Sequence, residues 1–202
     1  MAVPVSLFIV LTAFAAPVDL TTKSRSFIES LVDLSSHSRG SSGALSDVAK
    51  QKIKSVSAQI NFQALAQASL GAKWGSFVAK DRVEFLSVLQ ELLEIVAYPK
   101  AKGISAQLAD MEFKKINKSQ VGVSGRLNRE KRGEIISEKF NIVLIYSNDG
   151  AKIVDAVIEG EKLIVNLKRQ FTEALKKKNF SEIIAQMKKR VGNAKAKNEP
   201  AA

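Results

Sequence analysis

Between residues 140 and 171 the period of the apolar positions changes. Phe140 to Tyr146 and Ile153 to Ile158 are filled with β-branched and aromatic residues, and the intervening Asn148-Asp149-Gly150 tolerates the positive φ of a tight turn. This predicts an antiparallel hairpin. Gly160 ends the second strand, and Leu163, Ile164, Leu167 and Phe171 then recur at helical spacing. The chain therefore leaves the sheet into a helix whose apolar stripe lies back on it. Within the first strand Phe140, Ile142, Leu144 and Tyr146 point one way while Val143 and Ile145 point the other, so both faces need cover from helices or a ligand.

Upstream, Phe27, Ile28, Leu31 and Leu34 mark an amphipathic helix, broken by the Ser/Gly-rich stretch 35–43. Helical patterning resumes through Leu45, Val48, Ile53 and Val56 and continues over 62–70. It stops at Gly71, then restarts after Asp81, a candidate cap, and runs to Tyr98-Pro99. From about Phe113 alternation takes over: Val121 and Val123 alternate with polar neighbours, and a charged turn at 128–133 precedes Ile135-Ile136 and a long strand to Ser147. The last helices are expected over 163–177 and 180–191, with 192–202 a polar tail. Helices, then an antiparallel meander of about four strands, then helices packed on it define an α+β domain.

Two runs of this chain resemble the MlaC family, the periplasmic lipid-shuttle proteins also called toluene-tolerance proteins. One is Lys152, Ile153, Asp155, Ile158, Glu159, Gly160, Leu163, Arg169, Gln170 and Phe171, similar to the end of the family pattern. The other is Phe62 and Leu65, then Leu70-Gly71-x-x-Trp74, then Phe85, Leu89, Leu92, Leu93 and Tyr98, similar to the family's Leu-Gly-x-x-Trp and the aromatic-and-leucine helix after it. The chain departs from the pattern at Ala151, where Trp is usual, at Glu161-Lys162, where a small residue and Ser are usual, and at Leu167, where Tyr is usual. These departures bear on details of a pocket more than on the fold.

The resemblance implies a nuclear-transport-factor-like cone, a curved sheet wrapped by helices with lipid tails held in a cavity between them. It implies a lining drawn from Trp74, Phe85, Leu89, Leu92, Val96, Phe140, Ile142, Leu144, Tyr146, Ile164 and Phe171. It also implies a monomeric carrier with no cofactor and no catalysis, moving diacyl phospholipid and maintaining outer-membrane lipid asymmetry. The partners implied are an inner-membrane ABC transporter complex with an MCE-domain protein and an outer-membrane lipoprotein complex. A hopanoid-associated carrier of the same broad family is the alternative at member level.

Composition and charge refine this picture. At 46% hydrophobic and 25% charged residues, 202 residues suffice for one well-cored domain. Residues 1–15 read as a signal peptide: Val5 to Phe14 is almost wholly apolar and Ala13-Phe14-Ala15 suits cleavage before Ala16. Its one departure is that only the α-amino group supplies positive charge before the apolar run. The resemblance then assigns residues 16–191 to the lipid-binding domain. There is no cysteine, hence no lipid-anchoring cysteine and no disulfide framework, and the fold rests on its core. The net charge of +11 permits anionic membranes or acidic proteins as partners. Nucleic acid is not expected, because the basic runs 176–178 and 188–190 lack interleaved stacking aromatics. Lys177, Lys178, Lys188 and Lys189 are instead candidate docking residues, set against a merely solvated helix face.

Catalytic chemistry has few carriers. His37, the single histidine, lies in a Ser-Arg-Gly-rich loop without a nearby carboxylate, and one His with no Cys provides no metal-ligand set. Gly122-x-x-Gly125 falls in a strand pattern rather than opening a helix, so it is no phosphate loop. Asp155, the one carboxylate in an otherwise apolar strand, carries the enzyme alternative, a cone-fold base assisted by Tyr98 or Tyr146. A hydrogen-bonded structural role is the competing expectation for Asp155.

Overall fold

The computed structural model describes residues 19–36, 47–98, 110–131 and 134–198. The expected signal peptide and the loop carrying His37 lie outside the described residues.

Helix α1 spans Leu20–Ser36, α2 Asp47–Ala58, α3 Phe62–Leu70 and α4 Ala79–Leu92. The Asn61 side chain accepts from the Ala64 N–H and so caps α3, while Gly71 at φ 57° ends it by donating to Gln67 O. A 3-10 turn over Gly71–Ser76 leads to α4, and a π-helical turn over Leu93–Ala97 carries α4 on to Tyr98. Asp81 is not the cap expected for α4. The cap position is Val78, and Asp81 sits in the first turn, where its charge still favours the helix dipole.

Strands β1 (Glu112–Asn117), β2 (Gln120–Lys131), β3 (Glu134–Tyr146), β4 (Ile153–Ile158) and β5 (Glu161–Lys162) form one antiparallel sheet in sequence order. The β3–β4 hairpin closes where expected, with Ser147 N–H donating to Lys152 O at 2.8 Å and Gly150 at φ 68°. Glu159 and Gly160, at φ 50° and 82°, both take the left-handed conformation, which a tight two-residue turn into β5 demands. One expectation is corrected: residues 128–131, anticipated as part of a charged turn, pair with 134–137 and extend the β2–β3 ladder. A ladder is made by main-chain groups, so charge in the run did not by itself signal a turn.

The chain finishes with α5 (Leu163–Lys177) and α6 (Phe180–Asn198). Helix α6 therefore runs past the end expected near Val191 into the segment anticipated as a polar tail. The run beyond Val191 is rich in alanine and lysine, both good helix formers, and Lys195 bonds back to Glu91 on α4.

Buried side chains form two separate cores. The first joins α1 and α2 to the inner sheet face, with Phe27, Ile28, Val56, Tyr98, Val121, Val123, Phe140, Leu144 and Tyr146 among its members. Register explains the choice of face, since Val121 pairs with Leu144, Val123 with Ile142 and Gly125 with Phe140. The second core joins α3 to α6 around Leu65, Phe85, Leu89, Phe171, Phe180 and Ile184. Its centre is aromatic: the Phe85 ring lies 5.2 Å from both Phe171 and Phe180 and 6.3 Å from Trp74, and Phe77 stacks on Phe180.

Candidate functional site

The two cores meet across an apolar cavity of about 380 Å³. Helix α1 contributes Phe27, Ile28 and Leu31, the stripe spaced to face the sheet. The α2–α3 connection contributes Ile60, and Leu65, Leu93 and Tyr98 come from the helical layer. Ile142 and Leu144 of β3 line it, together with residues 153–156 and Ile158 of β4 and Leu163 at the start of α5. Leu93 packs against both cores, so the cavity lies on the boundary between them rather than inside either. Its volume falls within the roughly 300–1,000 Å³ usual for small-molecule sites.

The walls are fixed by polar contacts set behind the apolar lining. Lys23 Nζ donates to the carbonyls of Gly150 (2.8 Å) and Ala151, and Ser24 Oγ shares a buried 2.8 Å hydrogen bond with the Tyr146 hydroxyl, so α1 is tied to the β3–β4 hairpin. On the helical side, Asn61 N–H donates to Ile153 O and Ile153 N–H to Gln59 O, both at 2.8 Å, joining the α2–α3 connection to the edge of β4. Ser57 Oγ donates to Glu94 Oε1 at 2.7 Å, which leaves the Tyr98 hydroxyl as donor in its 3.1 Å bond to Ser57. Burial pushes the Tyr98 pKa up to about 12, opposed by the Ser57 bond and reinforced by the nearby Glu94 charge. Tyr146 is raised by burial as well.

Asp155 borders the cavity and is 8% exposed. Its Oδ1 accepts from the N–H of Ile164 at 3.0 Å, in the first turn of α5, and from Ala156 N–H at 2.8 Å. The carboxylate thus caps α5 from a neighbouring strand and places negative charge at a helix N-terminus, an arrangement that stabilises both partners. Each hydroxyl once considered as its assistant has a protein partner, Ser57 for Tyr98 and Ser24 for Tyr146. Among the described residues no three His, Cys, Asp or Glu side chains come together as a metal site, and no helix is long and apolar enough to cross a membrane.

Of the residues expected to line a pocket, the structure brings Ile142 and Leu144 to this cavity. Phe140 and Tyr146 are buried in the sheet-side core. Phe85, Leu89 and Phe171 are buried in the helical core, with Trp74, Leu92 and Ile164 half-buried against it, and Val96 is half-buried on the π-helical turn. Sequence reasoning missed the α1 residues and Ile60, and it also left Leu65, Leu93, Tyr98, the β4 residues and Leu163 out of the lining. The stripe of α1 was visible, but nothing local said which surface it covers; Ile60 stands alone between two helices and carries no periodic signal. The lysines expected to dock, Lys177, Lys178, Lys188 and Lys189, are all exposed on α5, α6 and the turn between them. Lys178 donates to Gln186 Oε1 at 2.8 Å and Lys188 bonds Glu84, whose carboxyl that bond holds below its usual range.

An antiparallel sheet with helices on it and an apolar cavity between the layers defines a small-ligand-binding scaffold. The chain belongs to the MlaC family: the family model described as MlaC protein matches residues 23–189. Among solved structures it is similar to the phospholipid-binding protein from Ralstonia solanacearum in complex with a phospholipid, at 16% identity and a TM-score of 0.59, covering 89% of this chain and 99% of that one. At that identity the likeness establishes a shared fold. No curated protein matches the chain.

Proposed function

We propose that this protein is a periplasmic carrier that takes up a phospholipid, shelters acyl chain in the cavity between its two cores, and passes it between inner- and outer-membrane complexes. The observation that carries the proposal is the cavity itself, about 380 Å³ walled by Phe27, Ile28, Leu31, Leu65, Leu144 and their neighbours. Family membership and a neighbour bearing a phospholipid in the same fold support the choice of ligand. The physics gives such a carrier its purpose. Moving roughly 14 methylenes from water into an apolar site gains about 11 kcal/mol, so an unaccompanied lipid would almost never cross an aqueous gap. Because bilayer and cavity are both apolar, transfer between them is nearly balanced, and direction comes from the docking partners or an energy source elsewhere. No bond is made or broken, and Asp155 serves the fold.

Native mass spectrometry of the purified protein, followed by extraction and analysis of the lipid, tests this directly. The expected result is a stoichiometric adduct with the mass of a diacyl lipid; a hopanoid adduct would move the chain to the alternative carrier class. Ala156 faces the first core opposite Leu144 and lines the cavity, so Ala156→Leu fills ligand space with protein. The variant is expected to fold with unchanged or higher stability and to retain less than about a tenth of the wild-type lipid. A folded Ala156→Leu protein with full lipid content would remove the cavity from the proposal.

A further inference from the structure

Two polar pockets flank the apolar cavity, and they differ in charge. One, of about 450 Å³, shares Ile158 and Leu163 with the cavity and is rimmed by Glu159, Glu161 and Asn166. The other, of about 460 Å³, shares Ile60 with it and is lined by Lys54, Ser57, Asn61, Gln63, Gln90 and Lys152. The second is brought together by the backbone pairing of Ile60 with Ile153, which sets Lys152 beside the last turns of α2, where Lys54 projects. Among the described residues neither lysine has an ion-pair partner. Glu94, which accepts from the pocket's Ser57 and Gln90, contributes one negative charge behind them and leaves the two ammonium groups in excess.

We propose that the Lys54–Lys152 pocket holds the phosphate of the lipid whose chain lies in the adjoining cavity, which orients the lipid with its headgroup at the α2–β4 side. The inference rests on the carrier reading above and adds to it a polarity and a substrate requirement. Two ammonium groups and the side-chain amides of Asn61 and Gln63 suit a phosphodiester, whose oxygens only accept. The opposite flank presents Glu159 and Glu161 and repels the same group. A lipid without phosphate keeps the apolar contacts and loses the charged ones, so the pocket discriminates phospholipid from diacylglycerol of identical chains.

The test uses the full purified chain, stripped of lipid and titrated with fluorescent phosphatidylglycerol and fluorescent diacylglycerol of matched chains. Wild type is expected to prefer phosphatidylglycerol about tenfold, since two exposed charge contacts together amount to about 1.4 kcal/mol. In Lys54→Gln/Lys152→Gln that preference falls to within about twofold, with diacylglycerol binding unchanged. The control Lys114→Gln/Lys115→Gln removes the same charge from β1 and keeps the preference. Inorganic phosphate alone is expected to compete with phosphatidylglycerol and not with diacylglycerol. A double variant that keeps the wild-type preference overturns the headgroup site while leaving the carrier reading standing. So does inorganic phosphate that binds without displacing phosphatidylglycerol. Failure of wild type to bind either lipid overturns both readings.

Discussion

Replacing Asp155 separates a structural carboxylate from a catalytic one. Its Oδ1 receives two backbone N–H groups, from Ile164 and Ala156, in a site only 8% exposed. Asp155→Asn keeps an acceptor oxygen and removes the charge facing the start of α5, a loss of about 0.5–1 kcal/mol. Asp155→Ala removes the acceptor too and leaves the Ile164 N–H without its partner, for about 2 kcal/mol in all. For a chain of this length those values correspond to melting-temperature drops of about 1–4 °C and about 4–8 °C. Thermal unfolding followed by circular dichroism measures both, and a lipid-transfer assay on the folded variants completes the comparison. Transfer is expected within a few-fold of wild type for both, because holding a chain needs no proton acceptor. Equal stability of the Ala variant and wild type would refute the capping role, and a loss of about 100-fold in transfer by a folded Asn variant would point to a general base.

A Cβ added at Gly125 would lie 2.7 Å from Phe140 Cε1 and 2.9 Å from its Cζ, so Gly125→Ala is expected to displace a buried ring and destabilise by about 1–3 kcal/mol in urea unfolding. Because Tyr98 holds its proton to about pH 12 when folded and to about 10 when unfolded, stability falls as pH rises through that window. The loss reaches about 2 kcal/mol at its upper end, and Tyr98→Phe flattens that limb of the unfolding profile. Reversing Lys177, Lys178 and Lys189 to Glu is expected to slow lipid delivery to anionic vesicles while leaving bound lipid unchanged, and added salt reproduces the slowing in wild type. Equal delivery at low salt would make that run a solvated helix face.

The fold was legible wherever a local signal sufficed. Asn148-Asp149-Gly150 marked the hairpin, the spacing from Leu163 to Phe171 marked α5, and Gly71 stopped α3 through its positive φ. The cavity was much less legible. Phe85 and Phe171 have the composition of a lipid-facing stripe, yet they turn toward Phe180, a partner supplied by a helix nearly a hundred residues from Phe85. A filled core and a lined cavity use the same residues, and only the packing of α1 over the sheet decides which results. Gly125 shows the reverse case. As one of two glycines three residues apart it suggested nothing beyond a strand, and its meaning emerged only from the register that lays Phe140 across it.

The division of the interior into two cores has a thermodynamic consequence. Leu93 packs against both cores, and the backbone bonds of Ile153 to residues 59 and 61 and the Asp155 cap on α5 are further joints between the sheet unit and the helical bundle. An acyl chain held in the boundary cavity, as proposed above, would touch both units at once and act as a removable piece of shared core. Loading would then do more than raise overall stability by mass action. It would tighten the coupling between the two units, and unloading would loosen it again.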